Sequence, residues 1–432
     1  MPQVRPFRGL SPALPVGAPD GQRVHDISPL VCPPYDVISA DLRTQLLARD
    51  PHNAVRLELS AESEPHRAAA RELATWTADG QLERRTPPTL YYYGHARQPG
   101  AVEPGVQGVL ARVLLEPFGG GVRAHEHTMP APKADRLALL RATRTQLSPI
   151  LVLYFDRSGR YDHLMGRAWS EGWQARDEDG LLHTLSAIEP DEQLIGYLSR
   201  QRLYIADGHH RYETALAYQA EVRSEPPAAH AEPGSLAADW MMMVLVNAAQ
   251  EQLEIQATHR LVTGVDAERL RSLVRDPQPL WQAIPAPPSD LPTRLAELGD
   301  AVEPVIGLLL PNDEGYLLVG DADGIADRMR RQQIGPVVRG LDVAVLQTAI
   351  LEDRLAIPAA SIAAGERVAY TRSAIRAQQA VAAGDAQAAF LLRSTRLDQL
   401  AAVADAGEAM PQKSTYFYPK LLTGMVFNPL ED

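Results

Sequence analysis

The chain has 432 residues, 45% hydrophobic and 22% charged, an ordinary soluble globular composition with enough length for two or three domains. Its 54 acidic against 42 basic side chains leave a formal charge of −12, which opposes nonspecific binding to nucleic acid, where affinity comes from clustered lysine and arginine. The single cysteine, Cys32, excludes an intrachain disulfide and a multi-cysteine zinc site, and no run of about 18 apolar residues is present to span a membrane. The opening MPQVRPFRGL lacks the apolar stretch of a signal peptide, so the cytoplasm is the expected compartment and a small molecule the expected ligand.

In chain order, a proline-rich opening ends in Cys32-Pro33-Pro34-Tyr35-Asp36, a rigid turn before a helix over 39–49 with Ser39 as its cap. A second helix over 64–79 is closed by Gly80, and strands follow at 90–93 and 108–115. Gly119-Gly120-Gly121 reads as a hairpin turn. The stretch 133–144 is basic, with Lys133, Arg136, Arg141 and Arg144, but Leu137, Leu139, Leu140 and Leu147 give it the spacing of an amphipathic helix, predicted over 133–146. A strand is predicted at 150–155, and a buried run resumes at 241–246 after a surface excursion over 226–235. The proline-rich stretch 277–292 is expected to be a linker or irregular loop. Beyond it come strands near 304–310 and 316–319, helices near 340–354 and 371–383, and a strand at 388–392. Strands and helices alternating in this way predict an α+β fold with mixed sheets and flanking helices. The expected division is an N-terminal segment 1–88, a core 89–262 and a C-terminal α/β region 263–432.

The segment richest in chemistry is Tyr204-Ile205-Ala206-Asp207-Gly208-His209-His210-Arg211. A short apolar strand runs into an acid, a glycine, two imidazoles and a guanidinium where a helix begins. Gly208 allows a sharp turn, the first N–H groups of the helix lack intrahelical partners, and the helix dipole favours an anion there. Arg211 can add charge-assisted hydrogen bonds to that anion, with His209 and His210 beside it, and Asp207 can hold Mg²⁺ or orient a substrate hydroxyl.

A second element, His125-Glu126-His127-Thr128, precedes Lys133 and Arg136. Glu126 is a candidate general base, and His125, Lys133 and Arg136 are candidates for binding substrate anions or transferring phosphate. The zinc-protease pattern is excluded because the position four after His125 is Met129. A metal site built from His125 or His127 with His209, His210 or His259 is an alternative. Walker A, GxSxG and protein-kinase patterns are absent, and no Rossmann fingerprint is supported. Near the C-terminus, MPQKSTYFYPK at 410–420 concentrates aromatics, hydroxyls and two lysines, so Lys413 and Lys420 are candidates to reach a phosphate or carboxylate.

PPYDVIS at 33–39, HEHTMPAPKADRLALL at 125–140, SPILVLYF at 148–155, YIADGHHRYETAL at 204–216, THRLV at 258–262 and MPQKSTYFYPK at 410–420 together resemble the bacterial and archaeal family called domain of unknown function 1015. The resemblance runs nearly the whole length of the chain. The DGHHR segment is also similar to the ParB/sulfiredoxin-like superfamily, which includes chromosome-partition nucleotidases and free-serine kinases. That resemblance implies a ParB/sulfiredoxin-like nucleotide-binding core with ATP or ADP and Mg²⁺ as cofactors. Gly208, His209, His210 and Arg211 would cradle phosphates, Asp207 would take the place of the kinases' acid, and Glu126 that of their catalytic glutamate. It further implies a small-molecule phosphotransferase acting on L-serine or a similar hydroxy amino acid. The alternatives are a nucleotide-gated binding or scaffold protein without kinase activity, and a hydrolase using a histidine-bound metal.

Overall fold

A computed structural model of the chain describes residues 1–13, 24–102, 104–161, 172–250, 252–277 and 279–431. It is a mixed α/β protein with mixed sheets and flanking helices, as the alternation of strand and helix signals predicts. The chain divides into two compact units. The first comprises Met1–Arg123, Thr128–Glu254 and Pro419–Asp432, the second Ala124–His127 and Ile255–Tyr418.

The first unit is built on a ten-stranded sheet. Its strands lie in the order Val24–Asp26, Gly172–Arg176, Leu182–Ile188, Leu90–Ala96, Pro104–Leu114, Trp240–Asn247, Ile150–Tyr154, Leu203–Asp207 and Val122–Arg123, with Val4–Arg5 paired to Pro104–Leu114 off this path. Trp240–Asn247 runs parallel to Ile150–Tyr154 and antiparallel to Pro104–Leu114, so it is paired on both sides. All eight of its residues are buried, which explains why WMMMVLVN reads as an unbroken apolar run. The neighbouring Leu203–Asp207 pairs antiparallel with Ile150–Tyr154, and its register shifts between Ile205 and Asp207. Such a bulge re-aims the strand end, and here that end carries Asp207.

Helices Pro65–Ala78, Pro130–Thr143 and His209–Ser224 pack in succession in this unit. Pro65 and Pro130 stand at first-turn positions where a missing N–H costs nothing. The helix Ala40–Arg49 starts as predicted, with Ser39 Oγ accepting from the Leu42 N–H. Tyr212 and Ala215 of the helix His209–Ser224 join the sheet core of Val109, Val152, Ile205 and Met243. A second core gathers Leu46, Val55, Leu73, Trp76, Leu139 and Phe427. Cys32 belongs to this core, and burial pushes its thiol pKa up, as expected of a small buried hydrophobe. The C-terminal segment threads back through the unit: Thr423 bridges to Cys32, Phe427 to Leu10, and Asn428 pairs with Gln146. Buried Arg112 donates to Asn428 Oδ1 at 2.6 Å and holds the end of the chain there.

The second unit carries an antiparallel six-stranded sheet in the order Trp281–Pro285, Glu314–Gly320, Val305–Leu310, Ala388–Leu391, His259–Val262 and Val368–Thr371. Helices Leu291–Glu297 and Ala374–Ala383 bury Leu291, Leu295, Ala377 and Val381 against Val305, Leu309 and Leu391. One expectation is corrected here. The stretch 277–292 is not a linker, since it supplies the strand Trp281–Pro285 and the start of the helix Leu291–Glu297. Pro285 is tolerated because the strand lies at the sheet edge, where a missing N–H breaks no ladder, and Pro292 because it stands in the first turn of its helix. The helix predicted near 340–354 is α-helical over Asp342–Val345 and then widens to a π-helix over Leu346–Glu352.

Candidate functional site

In the first unit the strand Leu203–Asp207 passes directly through Gly208 into the helix His209–Ser224. Gly208 has φ of 102°, and a Cβ placed on it would lie 2.4 Å from Ile150 Cγ2, so both backbone conformation and space require glycine. The helix has no side-chain cap at this end, whereas Asp191, Asp266 and Ser373 cap other helices of the chain. An uncapped helix start, entered through a glycine, is a setting where an anion can act as the cap.

Two cations meet at Asp207. Arg211, one turn along the helix, donates to Asp207 Oδ2 at 2.6 Å and also to the Pro149 carbonyl, and the Lys420 ammonium contacts Asp207 Oδ1. Arg211 and Lys420 are largely buried, with 12% and 10% of their side chains exposed, so their charge is weakly screened. Lys420 arrives on the returning C-terminal segment, more than two hundred residues from Asp207 in sequence.

Beside this group lies a second ionic cluster. Arg136 donates to Glu58 Oε2 at 2.7 Å and to Asp135 Oδ2, and Ser148 Oγ donates to Glu58 Oε1 while sharing a hydrogen bond with Thr423 Oγ1. Arg136 and Glu58 are 7% and 4% exposed. The guanidinium of Arg136 also lies 4.3 Å from the Tyr35 ring centroid. Burial, reinforced by Asp36, pushes the Tyr35 hydroxyl up to about 12, against the opposing pull of Arg211 and Arg136. Arg136 is thereby committed within the unit. A cavity of about 50 Å³ lies among Glu58, Arg136, Ser148, Arg211 and Thr214. That is room for a few waters and far below a ligand pocket.

Lys133 donates to Glu213 Oε2 at 2.6 Å, and Thr128 Oγ1 to the same oxygen at 2.8 Å. The Met129 N–H donates to His210 Nε2 at 2.9 Å, which fixes that ring at the start of the helix, and His209 is buried. Among the sequence candidates, Lys133, Arg136, Asp207, Gly208, His209, His210, Arg211 and Lys420 therefore all belong to the first unit. Glu58, Ser148, Thr423 and Glu213 escape sequence reasoning. The hints are that Glu213 falls inside the DGHHRYET run and Ser148 opens the SPILVLYF segment.

His125, Glu126 and Lys413 belong to the second unit. Glu126 forms a parallel bridge with Met410 and accepts from the Ser414 N–H at 3.2 Å, while His125 Nε2 lies 3.1 Å from Thr415 Oγ1. Lys413 adopts a left-handed φ of 56°, and Arg260 donates to its carbonyl at 3.1 Å and to that of Gln412 at 3.3 Å. Burial lowers the Arg260 pKa to about 10, with Tyr370 and Glu126 pulling the other way. Among the described residues no group of three His, Cys, Asp or Glu side chains able to hold a metal ion is assembled. Among them, too, no helix is long and apolar enough to cross a membrane.

The model of the family described as protein of unknown function (DUF1015) matches residues 4–344. The chain belongs to this family. The DUF1015 match takes in the Gly208 turn and the His125–Thr128 segment and ends before Lys413 and Lys420. No curated protein matches the chain. Solved structures similar to this DUF1015 protein include a mutant free serine kinase in complex with ADP, at 10% identity and a TM-score of 0.37 over 70% of this chain and 90% of that one. A mutant of a free serine kinase in complex with AMP matches at 11% identity and a TM-score of 0.39, over 74% and 89% of the two chains. SbnI with a C-terminal truncation, from Staphylococcus aureus, matches at 14% identity and a TM-score of 0.37, over 74% and 87%.

Proposed function

We propose that this protein is a small-molecule phosphotransferase of the free-serine-kinase type, moving a phosphoryl group from ATP or ADP to the hydroxyl of L-serine or a similar hydroxy amino acid. The observation that carries the reading is the convergence of Arg211 and Lys420 on Asp207 beside the uncapped, glycine-entered start of the helix His209–Ser224. In phosphoryl transfer, positioning and charge stabilisation account for most of the catalysis, and these groups supply both.

In this reading the donor phosphates lie at the Gly208 turn, with Lys420 and Arg211 countering their charge and Asp207 holding the two cations in place. The acceptor oxygen forms a bond to phosphorus as the bond to the donor's bridging oxygen breaks, and the hydroxyl proton leaves for a carboxylate. Lys133, held by Glu213, and His210, held by the Met129 N–H, border the turn as further phosphate or substrate contacts. Arg136 acts indirectly, through the buried cluster that supports the turn.

The residues present do not form a ready-made Mg²⁺ site, because both oxygens of Asp207 already face cations. Magnesium carried on the nucleotide phosphates would neutralise charge there.

The test is to incubate purified protein and Mg²⁺ with ATP or ADP and a pool of hydroxylated metabolites including L-serine, and to search for a phosphorylated product by mass spectrometry. Phosphoserine that disappears in Arg211→Ala supports the kinase. Nucleotide binding without product favours the second reading, a nucleotide-gated binding or scaffold protein. Absence of both removes the phosphate site.

A further inference from the structure

The second unit contains a cavity of about 380 Å³, lined by the helix Leu291–Glu297, the first residue of the helix Ala374–Ala383 and the residues at and just after the end of the strand Ala388–Leu391. This is the size range of small-ligand sites. One wall is apolar, from Pro292, Leu295, Ala296 and Leu391, and the polar groups of the lining include His259, Asp300 and Arg396.

His259 is 8% exposed and accepts the Leu392 N–H on Nδ1 at 3.2 Å. Burial lowers its pKa to about 4, so the ring is neutral near pH 7, and with Nδ1 accepting, its proton sits on Nε2. Nε2 has no partner among the described residues, which leaves an unused donor on a largely buried ring that lines the cavity. Such a donor calls for an acceptor.

Arg393 also lines the cavity, but its donors are spent on Asp342 and on the carbonyls of Leu298, Ala301 and Glu303, so it holds the wall together. Arg396 is exposed and uses Nε and Nη2 on Asp398. Once these pairs are set aside, the lining offers a guanidinium edge, an imidazole N–H and the Ser394 hydroxyl on one hand and, close enough to act on Arg396, the carboxylate of Asp300 on the other. A simple anion would meet Asp300, and a simple cation would meet Arg396 and His259. A ligand bearing both charges satisfies all three.

We propose that this cavity binds a small zwitterionic amino acid with an apolar side chain, its carboxylate on His259 Nε2–H and Arg396, its ammonium on Asp300 and its side chain along Leu295, Ala296 and Leu391. The site lies wholly within the second unit and does not depend on the phosphotransferase reading, because none of its lining residues belongs to the Gly208 turn and an apolar amino acid offers no hydroxyl for the proposed transfer.

The test uses the full-length protein and L-leucine in isothermal titration calorimetry, with isocaproate, which keeps the carboxylate and side chain but lacks the amine, as the second probe. The expected result is saturable one-to-one leucine binding and affinity for isocaproate lower by about tenfold or more. Arg396→Ala and Asp300→Asn, both at exposed positions and checked for folding by circular dichroism, should each weaken leucine by a similar factor. Ala296→Trp, which fills the cavity, should abolish binding, and Lys420→Met in the first unit should leave it unchanged. No saturable binding up to about 10 mM, isocaproate binding as tightly as leucine, or binding unaffected by both Arg396→Ala and Ala296→Trp would overturn the proposal.

Discussion

The two units differ in how densely they pair charge. In the first, cations are matched to carboxylates at close range: Arg136 to Glu58 and Asp135, Arg211 and Lys420 to Asp207, Lys133 to Glu213. In the second, Arg393 is paired with Asp342 in the same way, but Arg260, 4% exposed, gives its hydrogen bonds to carbonyls and its guanidinium lies 5.2 Å from the Tyr370 ring centroid. The large cavity of that unit mixes an apolar wall with a few separated polar groups. The difference teaches that the units are suited to different ligands. Dense paired charge at a helix start suits a multiply charged phosphate, since an arriving anion can take over cations already held in position. A mostly apolar cavity with one donor edge and one acid suits a small molecule with little net charge.

The largest effect should come from breaking the buried cluster of the first unit. Glu58→Ala leaves Arg136 buried beside Asp135 alone, and chemical denaturation should report a loss of about 3–5 kcal/mol. A loss below about 1 kcal/mol would mean that Arg136 finds water or another partner. Next is Lys420→Met, which removes one of the two cations from Asp207. Product formation should drop about 10²- to 10³-fold with the far-ultraviolet spectrum unchanged, and wild-type turnover would take Lys420 out of the mechanism.

The third effect divides the units by pH. Burial lowers His95, in the first unit, and His259, in the second, to about 4 from an ordinary value of 6.5; at His95 the neighbouring His183 adds to the shift, and at His259 Arg260 does. Between those values the unfolded chain binds more protons than the folded one, so stability rises with pH. The contribution of each histidine is complete above about pH 6.5 and is lost as the pH falls toward 4, by an amount on the order of 2–3 kcal/mol. Thermal unfolding from pH 7.5 to 4.5 should show this slope, reduced by His95→Gln for the first unit and by His259→Gln for the second. A slope indifferent to both changes would contradict the assignment. The smallest effect is expected of Gly208→Ala, where φ of 102° and the approach to Ile150 should cost about 1–3 kcal/mol and weaken phosphate binding along with stability.

Much of this was legible in the sequence because local chemistry decided it. Ser39 and Gly208 mark helix starts through capping and backbone freedom, and the run 241–246 reads as buried, though its pairing on both sides is seen only in the structure. Periodicity does not say which distant segments meet. Lys420 stood out for its aromatic surroundings, but its partner Asp207 follows only from a C-terminal segment that threads back past Cys32 and Leu10. Nothing in the sequence singles out Glu58, and its burial depends on Arg136 and Ser148 arriving from other elements. The proline-rich stretch 277–292 misled because composition records the loss of N–H donors and not whether the strand lies at an edge.

The central claim is that the Gly208 turn of the first unit receives nucleotide phosphates, and calorimetric titration of ADP into wild-type protein, Arg211→Ala and Lys420→Met tests it most directly. The account predicts saturable binding to wild type, weakened by about tenfold or more in each variant and falling with rising salt. ADP that does not bind, or that binds all three proteins equally, would contradict it.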